Sequence, residues 1–291
     1  MRRFARAVPF IGPHFVIFVT FALLPTVYGF YIAFTRWNII GDPQFVGLDN
    51  FREILLNSDS PFAGQFRTGL LNTLLFVVVS VPLLVVVPLL LALVLSRKDL
   101  RGVGLFQAIF YVPGLISVSA GALAWSLMFN REVGLINNVL GSNIAFSTTQ
   151  PWAWVTIFTL TVWAGIGGNL IIYRSAIAGV PHELHEAAQL DGAGGVRRFF
   201  AVVLPSIRFP LLYTLVLTTA GAFNVYGQPV MMTKGGPNES TKVLMMTIRD
   251  LAFGSGPSIA GIAAAMSVLL GLVLMVISAI QFRVMFRSSD D

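Results

Sequence analysis

The sequence predicts an all-α integral membrane protein with six transmembrane helices. Over its 291 residues the chain is 56% hydrophobic and 11% charged, whereas soluble domains are roughly 25% charged. Six apolar stretches each supply the roughly 20 residues needed to cross the hydrocarbon core of a bilayer. The predicted spans are residues 10–35, 70–95, 105–129, 152–173, 211–232 and 258–281. We expect all six to belong to a single transmembrane domain, residues 1–291.

The first apolar stretch is predicted to be a span that the protein retains. Arg2, Arg3 and Arg6 precede it, as in a signal peptide. However, the apolar run is longer than the roughly 7–15 residues of a signal peptide's hydrophobic region, and no small-x-small cleavage site ends it. We therefore expect the chain to enter the membrane from the cytoplasm.

The basic residues predict the orientation of the chain. Six spans place both termini on one side, and that side carries 12 of the Lys and Arg residues against 7 on the other. Because Lys and Arg accumulate in cytoplasmic loops, we expect both termini in the cytoplasm. These residues are scattered along the chain, so the net charge of +6 does not indicate a nucleic-acid partner. The sequence contains no cysteine, which excludes disulfides and thiolate metal sites.

Residues 181–205, PHELHEAAQLDGAGGVRRFFAVVLP, form the longest charged interruption between the apolar stretches, and we call them the charged segment. Pro181 suits the first position of a helix, where its missing N–H costs nothing. Leu184, Ala187 and Ala188 are three and four residues apart and share one helix face. Gly192 is a natural helix stop because glycine accepts the left-handed conformation. We expect a short solvated helix between spans four and five, held by something outside the membrane.

Two patterns resemble cofactor-binding motifs but lack the residue spacing that those motifs require. His182, Glu183, His185 and Glu186 resemble a zinc site, but the second histidine stands at i+3 and not at the required i+4. The turn 234–237, Lys-Gly-Gly-Pro, lacks the spacing of a phosphate-binding loop. The sequence therefore predicts neither a metal site nor a bound cofactor on this chain.

The solute path is predicted to be lined by neutral side chains. The apolar core of each predicted span lacks Asp, Glu, Lys and Arg, whereas ion-coupled carriers usually place such a group there. The remaining polar and aromatic residues in spans four and five suit a polyhydroxylated solute, although they alternatively satisfy one another or neighbouring helices. The alternation of polar residues around Gly227 suggests a loosened helix in span five. The candidates are Trp163, Asn169, Asn224, Tyr226 and Gln228.

The charged segment also resembles a known signature. Glu186-Ala187-Ala188 is followed by Gly192, by the aliphatic Val202 and by Leu204-Pro205. This spacing resembles the cytoplasmic EAA motif of permease subunits in binding-protein-dependent ABC importers, where Val202 stands in place of a more common Ile. Four further stretches, in the expected order, are similar to carbohydrate-import permeases of the maltose, glycerol-3-phosphate and multiple-sugar type: 45–51, 72–74, 129–130 and 235–237.

The resemblance implies a transport assembly and no enzymatic activity in this chain. It implies a second permease subunit, which we expect to be a different chain, together with two ATPase subunits and an extracytoplasmic sugar-binding protein. It also implies the cytoplasmic (inner) membrane of a bacterium or archaeon, with lipid around the spans. An ion-coupled secondary transporter of a neutral polar solute is the alternative, but it leaves the charged segment unexplained. The residues expected to couple to the ATPase are Glu183, Glu186, Ala187, Ala188, Asp191 and Gly192.

Overall fold

The computed structural model describes residues 11–97, 100–254 and 259–287. Apart from one short β-ribbon, the elements in these ranges are helical. The long helices are α1 (Ile11–Ala33), α3 (Pro61–Leu95), α7 (Trp152–Ala178) and α14 (Ala260–Arg287). The shorter helices are α2 (Asp49–Leu55), α4 (Val103–Tyr111), α5 (Val118–Met128), α6 (Leu135–Leu140), α8 (His182–Leu190), α9 (Gly195–Arg198), α10 (Leu204–Ser206), α11 (Arg208–Phe223), α12 (Gly227–Met232) and α13 (Leu244–Phe253). A 3₁₀ turn, Val112–Leu115, follows α4, and a π turn, Phe199–Val203, joins α9 to α10.

Four of the six predicted spans are continuous helices. The helices Ile11–Ala33, Pro61–Leu95, Trp152–Ala178 and Ala260–Val284 are long and apolar enough to cross a membrane. The second begins nine residues before the predicted start at Leu70, because the polar residues before it continue the same helix. Phe10 and Ser258, at the predicted outer limits of spans one and six, lie outside the described residues.

Spans three and five are not single straight helices. For span three this is a correction, because the sequence predicted an unbroken span, whereas a loosened helix was predicted within span five. Residues 105–129 divide into α4 with its 3₁₀ turn and α5, and the two parts are bent by 103°. Residues 211–232 divide into α11 and α12, with residues 224–226 between them in non-helical conformation. The chain entering α11 is also bent, by 73° between Gly195–Ser206 and Arg208–Phe223. The described residues thus contain four spans, or up to six if each bent pair is one span.

Contacts divide the chain into two compact units, residues 1–69 with 244–273 and residues 70–243 with 274–291. In the first unit, the strands β1 (Thr35–Arg36) and β2 (Gln44–Phe45) pair antiparallel after α1. The buried Asn50 amide donates to the carbonyls of Ala33 at 2.9 Å and Thr35 at 2.8 Å. Gly261 packs so closely that a Cβ there would lie 1.9 Å from the Thr35 carbonyl oxygen. These contacts satisfy the backbone where α1 ends.

The second unit is built around α3 and α7. A buried cluster joins these helices to the chain that follows the charged segment, and its members are Leu89, Ala92, Leu95, Leu170, Tyr173, Val203 and Ile207. The Tyr173 hydroxyl is fully buried and lies 2.6 Å from the Thr214 hydroxyl of α11. Apolar packing and one buried polar pair therefore fix α11 against α7.

Prolines account for two local departures from α-helical geometry. The π turn Val19–Leu23 within α1 ends two residues before Pro25, and the π turn Phe199–Val203 ends two residues before Pro205. A proline has no N–H to continue the helical hydrogen bonds and its ring crowds the preceding turn. Widening one turn accommodates the ring without ending the helix.

Candidate functional site

The charged segment begins with the predicted helix, α8. Pro181 has ψ of 137° and is the residue that precedes the helix, so the first helical position belongs to His182 and not to Pro181 as expected. Glu183 lies in the first turn, where a carboxylate interacts favourably with the positive end of the helix dipole. The helix forms as predicted, shifted by one residue.

Gly192 ends this helix in the way the sequence predicts. Its φ is +71°, a left-handed conformation that glycine adopts without strain. The Gly192 N–H donates to the Gln189 carbonyl at 3.0 Å, and the Ala193 N–H donates to the Ala188 carbonyl at 2.9 Å. These two bonds are the pair that defines a Schellman C-cap. A Cβ at Gly192 would have no neighbour within 4 Å, so backbone conformation alone restricts this position.

The two faces of α8 have different surroundings. Leu190 is 90% exposed and Leu184 is 46% exposed, so apolar side chains face outward. On the side of α8 away from Leu184, the His182 Nδ1 and the Glu186 Oε1 lie 3.0 Å apart, and these residues line a cleft. The six residues predicted to couple to an ATPase divide accordingly. Glu183, Ala187, Asp191 and Gly192 are exposed, Ala188 is half-buried, and Glu186 is exposed but lines the cleft.

Both ends of the charged segment are anchored in the core of the second unit. Val180 before α8 and Phe199 after α9 are partly buried against the cluster that contains Leu95 and Tyr173. Val203 is 6% exposed and belongs to that cluster. Packed side chains therefore join both ends of the charged segment to α3 and α7.

The second candidate site is formed by the interruptions in spans three and five, residues 112–117 and 224–226, which we call the break region. Within the first interruption Ile116 is extended with ψ of 136°, and the Ser117 hydroxyl accepts the Ala120 N–H at 3.3 Å to begin α5. The glycine-rich middle of α7 packs closely against the first interruption. A Cβ at Gly167 would lie 2.6 Å from both the carbonyl oxygen of Phe110 and the Cα of Tyr111.

The two interruptions are connected through α5. A Cβ at Gly227, the first residue of α12, would lie 2.9 Å from the Cγ1 of Val118, the first residue of α5. Two turns further along α5, the rings of Trp125 and Trp163 meet edge to face with centroids 5.9 Å apart. Three of the five predicted path residues therefore lie around α5: Trp163, Tyr226 and Gln228, all half-buried.

The other two predicted path residues lie apart from α5 or bond locally. The Asn169 amide donates to the Leu84 carbonyl at 2.7 Å and to the Thr218 hydroxyl at 3.2 Å. Leu84 is four residues before Pro88, so its carbonyl has no helical N–H partner, and Asn169 supplies one from α7. Asn224 is exposed and donates to the Ala220 carbonyl of its own helix at 2.8 Å.

The break in span three was not predicted, although the sequence carries a signal for it. Pro113-Gly114 is a dipeptide that commonly marks a turn, and Ser117 is a residue type that commonly begins a helix. The break in span five confirms the loosened helix predicted around Gly227. Among the described residues, no group of three or more His, Asp and Glu side chains is placed to hold a metal ion.

A family model describing the binding-protein-dependent transport system inner membrane component matches residues 62–287. The chain belongs to this family. The match includes the charged segment and the break region, so both sites lie within the family's common domain.

This permease has similar relatives that are named for transport. It is 30% identical to a probable starch degradation products transport system permease protein, AmyD, of Thermoanaerobacterium thermosulfurigenes, over 94% of this chain and 91% of the relative. It is 32% identical to the lactose transport system permease protein LacF of Rhizobium radiobacter, over 75% of each chain. It is 28% identical to the probable ABC transporter permease protein YurN of Bacillus subtilis strain 168, over 92% of each chain.

Solved structures support the fold. A chain of a bacterial alginate ABC transporter, in complex with an alginate pentasaccharide-bound periplasmic protein, is similar with a TM-score of 0.80 at 22% identity. That similarity covers 96% of this permease and 93% of that chain. A second structure, a bacterial ABC transporter that imports alginate, gives a TM-score of 0.77 at 22% identity and covers 98% and 96%. The mostly helical architecture is thus that of an ABC importer permease.

Proposed function

We propose that this permease forms the translocation path for a sugar or sugar derivative in an ATP-driven importer, and that α8 couples the path to a separate ATPase. The observation that carries the proposal is the geometry of the charged segment. Its middle presents exposed apolar side chains, with Leu190 90% exposed, while both ends are packed in the core. Such an element gains stability when a partner covers it and passes the partner's movement to the spans.

The proposed docking face of α8 is the outward one. Glu183, Ala187, Asp191 and Gly192 would contact the ATPase, and Ala188 would permit close seating at the edge of the contact. Glu186 lines the cleft beside His182. Its proposed role is therefore to hold α8 against the helix ends that line this cleft. Gly192 would fix the direction in which the chain leaves the docked helix.

The proposed topology has six spans in one transmembrane domain, with α4–α5 as span three and α11–α12 as span five. Helices α3 and α14 contribute residues to both compact units, which supports treating the chain as one domain. The excess of basic residues on the side of the termini supports a cytoplasmic location for both termini and for the charged segment. The membrane is the inner membrane, as the family's description states.

The proposed solute path runs along α5 and the break region. Irregular backbone at membrane depth is tolerated where it is buried in protein or lines a cavity, and transporters commonly bind solute between broken helices. Trp163 and Tyr226 would stack on sugar rings, and Gln228 would bond to hydroxyls. The relatives named for starch products and lactose support a carbohydrate solute. An ion-coupled carrier is not favoured, because the family is binding-protein-dependent.

The proposed assembly contains this permease, a second and different permease subunit, two ATPase subunits and an extracytoplasmic sugar-binding protein. ATP and Mg would be used by the ATPase subunits, and this chain would bind no cofactor of its own. The alginate transporter structure was solved with a periplasmic protein, which supports the last partner.

Co-purification from native membranes tests this proposal. We expect an ATPase subunit to be recovered with the tagged permease, and we expect its ATP hydrolysis to rise when a sugar-loaded binding protein is added. A permease carrying Leu190→Asp should be inserted normally but recovered with less ATPase, whereas Leu140→Asp, at the end of α6, should behave like wild type. Recovery of the chain alone, with uptake that is indifferent to ATP, would overturn the proposal.

A further inference from the structure

A cleft of about 710 Å³ in the second unit lies behind α8 and has no role in the proposed coupling contact. Its walls come from one end of three spans, namely the last turns of α3 and α7 and the first turn of α4, and from the inward faces of α8 and α9. In the proposed topology this is the level where the spans leave the cytoplasmic leaflet. The cleft is therefore positioned beside lipid headgroups.

Arginines from three separate elements line the cleft. Arg97 follows α3, Arg174 lies in α7 and Arg198 ends α9. The Arg174 guanidinium donates to the Gln107 side chain, which holds it in place. Of the described lining residues, Glu186 is the only carboxylate, and His182 lies beside it at 3.0 Å. The cleft is thus positive, and guanidinium groups suit the geometry of phosphate oxygens.

A buried hydroxyl also points to a missing hydrogen-bond partner. Ser96 is one of the residues that line this cleft, and its hydroxyl oxygen is buried from solvent and has no hydrogen-bond partner among the described residues. A buried polar group without a partner is destabilising, and the great majority of such groups in folded proteins are satisfied. A phosphate oxygen that enters the cleft would accept this hydrogen bond.

Much of the remaining wall is apolar. Leu93, Leu95, Val103, Ile177 and Val203 line the cleft together with the arginines. A small soluble anion gains nothing from an apolar wall, whereas a phospholipid places its phosphate on basic groups and its acyl chains on apolar ones. Basic pockets between spans on the cytoplasmic side bind anionic headgroups in this way.

We propose that this cleft binds an anionic phospholipid through its phosphate, and that the lipid holds α8 at a fixed distance from the ends of α3 and α7. The orientation of the cleft toward the cytoplasmic leaflet rests on the proposed function. The lipid contact itself needs neither the ATPase nor the solute. A negative result for lipid binding would therefore leave the importer proposal standing. Likewise, evidence against the importer proposal would leave the lipid site standing.

Native mass spectrometry of the purified full chain, equilibrated with mixed phosphatidylglycerol and phosphatidylcholine micelles, tests the proposal. We expect phosphatidylglycerol to be retained on the wild type, and its affinity to fall by roughly fivefold for each of Arg97→Gln and Arg198→Gln. Arg101→Gln is the matched control. Arg101 is exposed in the same turn as Arg97, and it is not among the described residues that line the cleft. Arg198→Lys should give an intermediate loss, because lysine keeps the charge but not the paired donors.

Three results would overturn the lipid site. The first is equal retention of phosphatidylglycerol by wild type, Arg97→Gln and Arg198→Gln. The second is equal loss in Arg101→Gln, which would indicate general surface charge. The third is displacement of the lipid by excess inorganic phosphate, which would make the cleft a site for a soluble anion. Thermal unfolding in phosphatidylcholine alone should be the same for all variants, so that any difference in lipid retention reflects binding and not misfolding.

Discussion

The charged segment and the break region both interrupt the regular spans, but their surroundings are opposite. The first is exposed at its helix, and the second is closely packed. In the charged segment, the helix α8 turns Leu184 and Leu190 outward, and Gly192 has no neighbour within 4 Å of where a Cβ would lie. Next to the break region, Gly167 in α7 and Gly227 at the start of α12 sit so close to other chain segments that a Cβ would clash. The first surface is exposed in this chain, as the proposed contact with a partner requires, and the second is already packed within the chain.

This difference separates two causes of a transport defect. A change in the exposed charged segment should leave folding intact and alter only what the subunit does in its assembly. A change in the break region should first alter packing, because close contacts there leave no room for additional atoms. Each of the three predictions below pairs a variant with a control so that these causes can be told apart.

The largest effect is expected from Gly192→Val. The left-handed conformation costs roughly 1–2 kcal/mol for a residue with a side chain, and a β-branched residue is among the least suited to it. The Schellman cap should open and α8 should leave its docking direction. We expect sugar uptake by the reconstituted assembly to be abolished while the amount of inserted permease stays unchanged.

Gly194→Val is the control for this prediction. Gly194 lies two residues further on, has negative φ of −64° with ψ of 171°, and has no neighbour within 4 Å of a Cβ. Valine adopts such an extended conformation readily, so uptake should persist. Normal uptake by Gly192→Val would remove the coupling role from this turn, and equal loss in both variants would show that the loop tolerates no side chain at all.

The charged segment was predictable because its signals are local. The extent of α8 within one residue and the stop at Gly192 follow from proline, alanine spacing and glycine within a dozen positions. The inward orientation of Glu186 was not predictable, because helical spacing fixes which residues share a face but not which face meets the rest of the chain. That choice depends on how α3 and α7 anchor Val180 and Phe199.

A smaller effect, this time on folding, is expected from Gly167→Ala. The new methyl group would lie 2.6 Å from the Phe110 carbonyl oxygen and the Tyr111 Cα, and backbone atoms cannot move aside as a flexible side chain can. Overpacking of this kind typically costs 1–3 kcal/mol. We expect a lower unfolding temperature in detergent and less permease in the membrane, with uptake reduced in proportion to the amount of protein.

Gly168→Ala tests whether the contact or the helix is responsible. Gly168 is adjacent in α7, and a Cβ there meets nothing within 4 Å. Alanine favours the helix over glycine by up to roughly 1 kcal/mol, so this variant should be as stable as wild type or slightly more. If both variants unfold at the wild-type temperature, the close approach of α7 to the break region is not as tight as the structure indicates.

The break region was predictable only in part, since its causes lie far apart in the sequence. The polar residues around Gly227 predict the interruption in span five. At the 103° bend in span three, a Cβ at Gly114 would lie 3.0 Å from the Ala164 carbonyl oxygen of α7, and the lengths of the apolar stretches do not contain the information that these two segments meet. The role of Asn169 was not predictable for the same reason. Its amide bonds to a carbonyl that Pro88 leaves without a helical donor, and Pro88 lies 81 positions earlier in the chain.

The smallest effect is expected at Asn169, where a double-mutant cycle separates a structural role from contact with solute. Asn169→Ala removes the donor from the Leu84 carbonyl, and interhelical hydrogen bonds in membranes contribute roughly 1 kcal/mol. Pro88→Ala gives that carbonyl an N–H of its own helix. We therefore expect Asn169→Ala to lower the unfolding temperature in the wild-type background and to have a smaller effect in the Pro88→Ala background. A solute contact would show the opposite pattern, with equal loss of uptake in both backgrounds and an unchanged unfolding temperature.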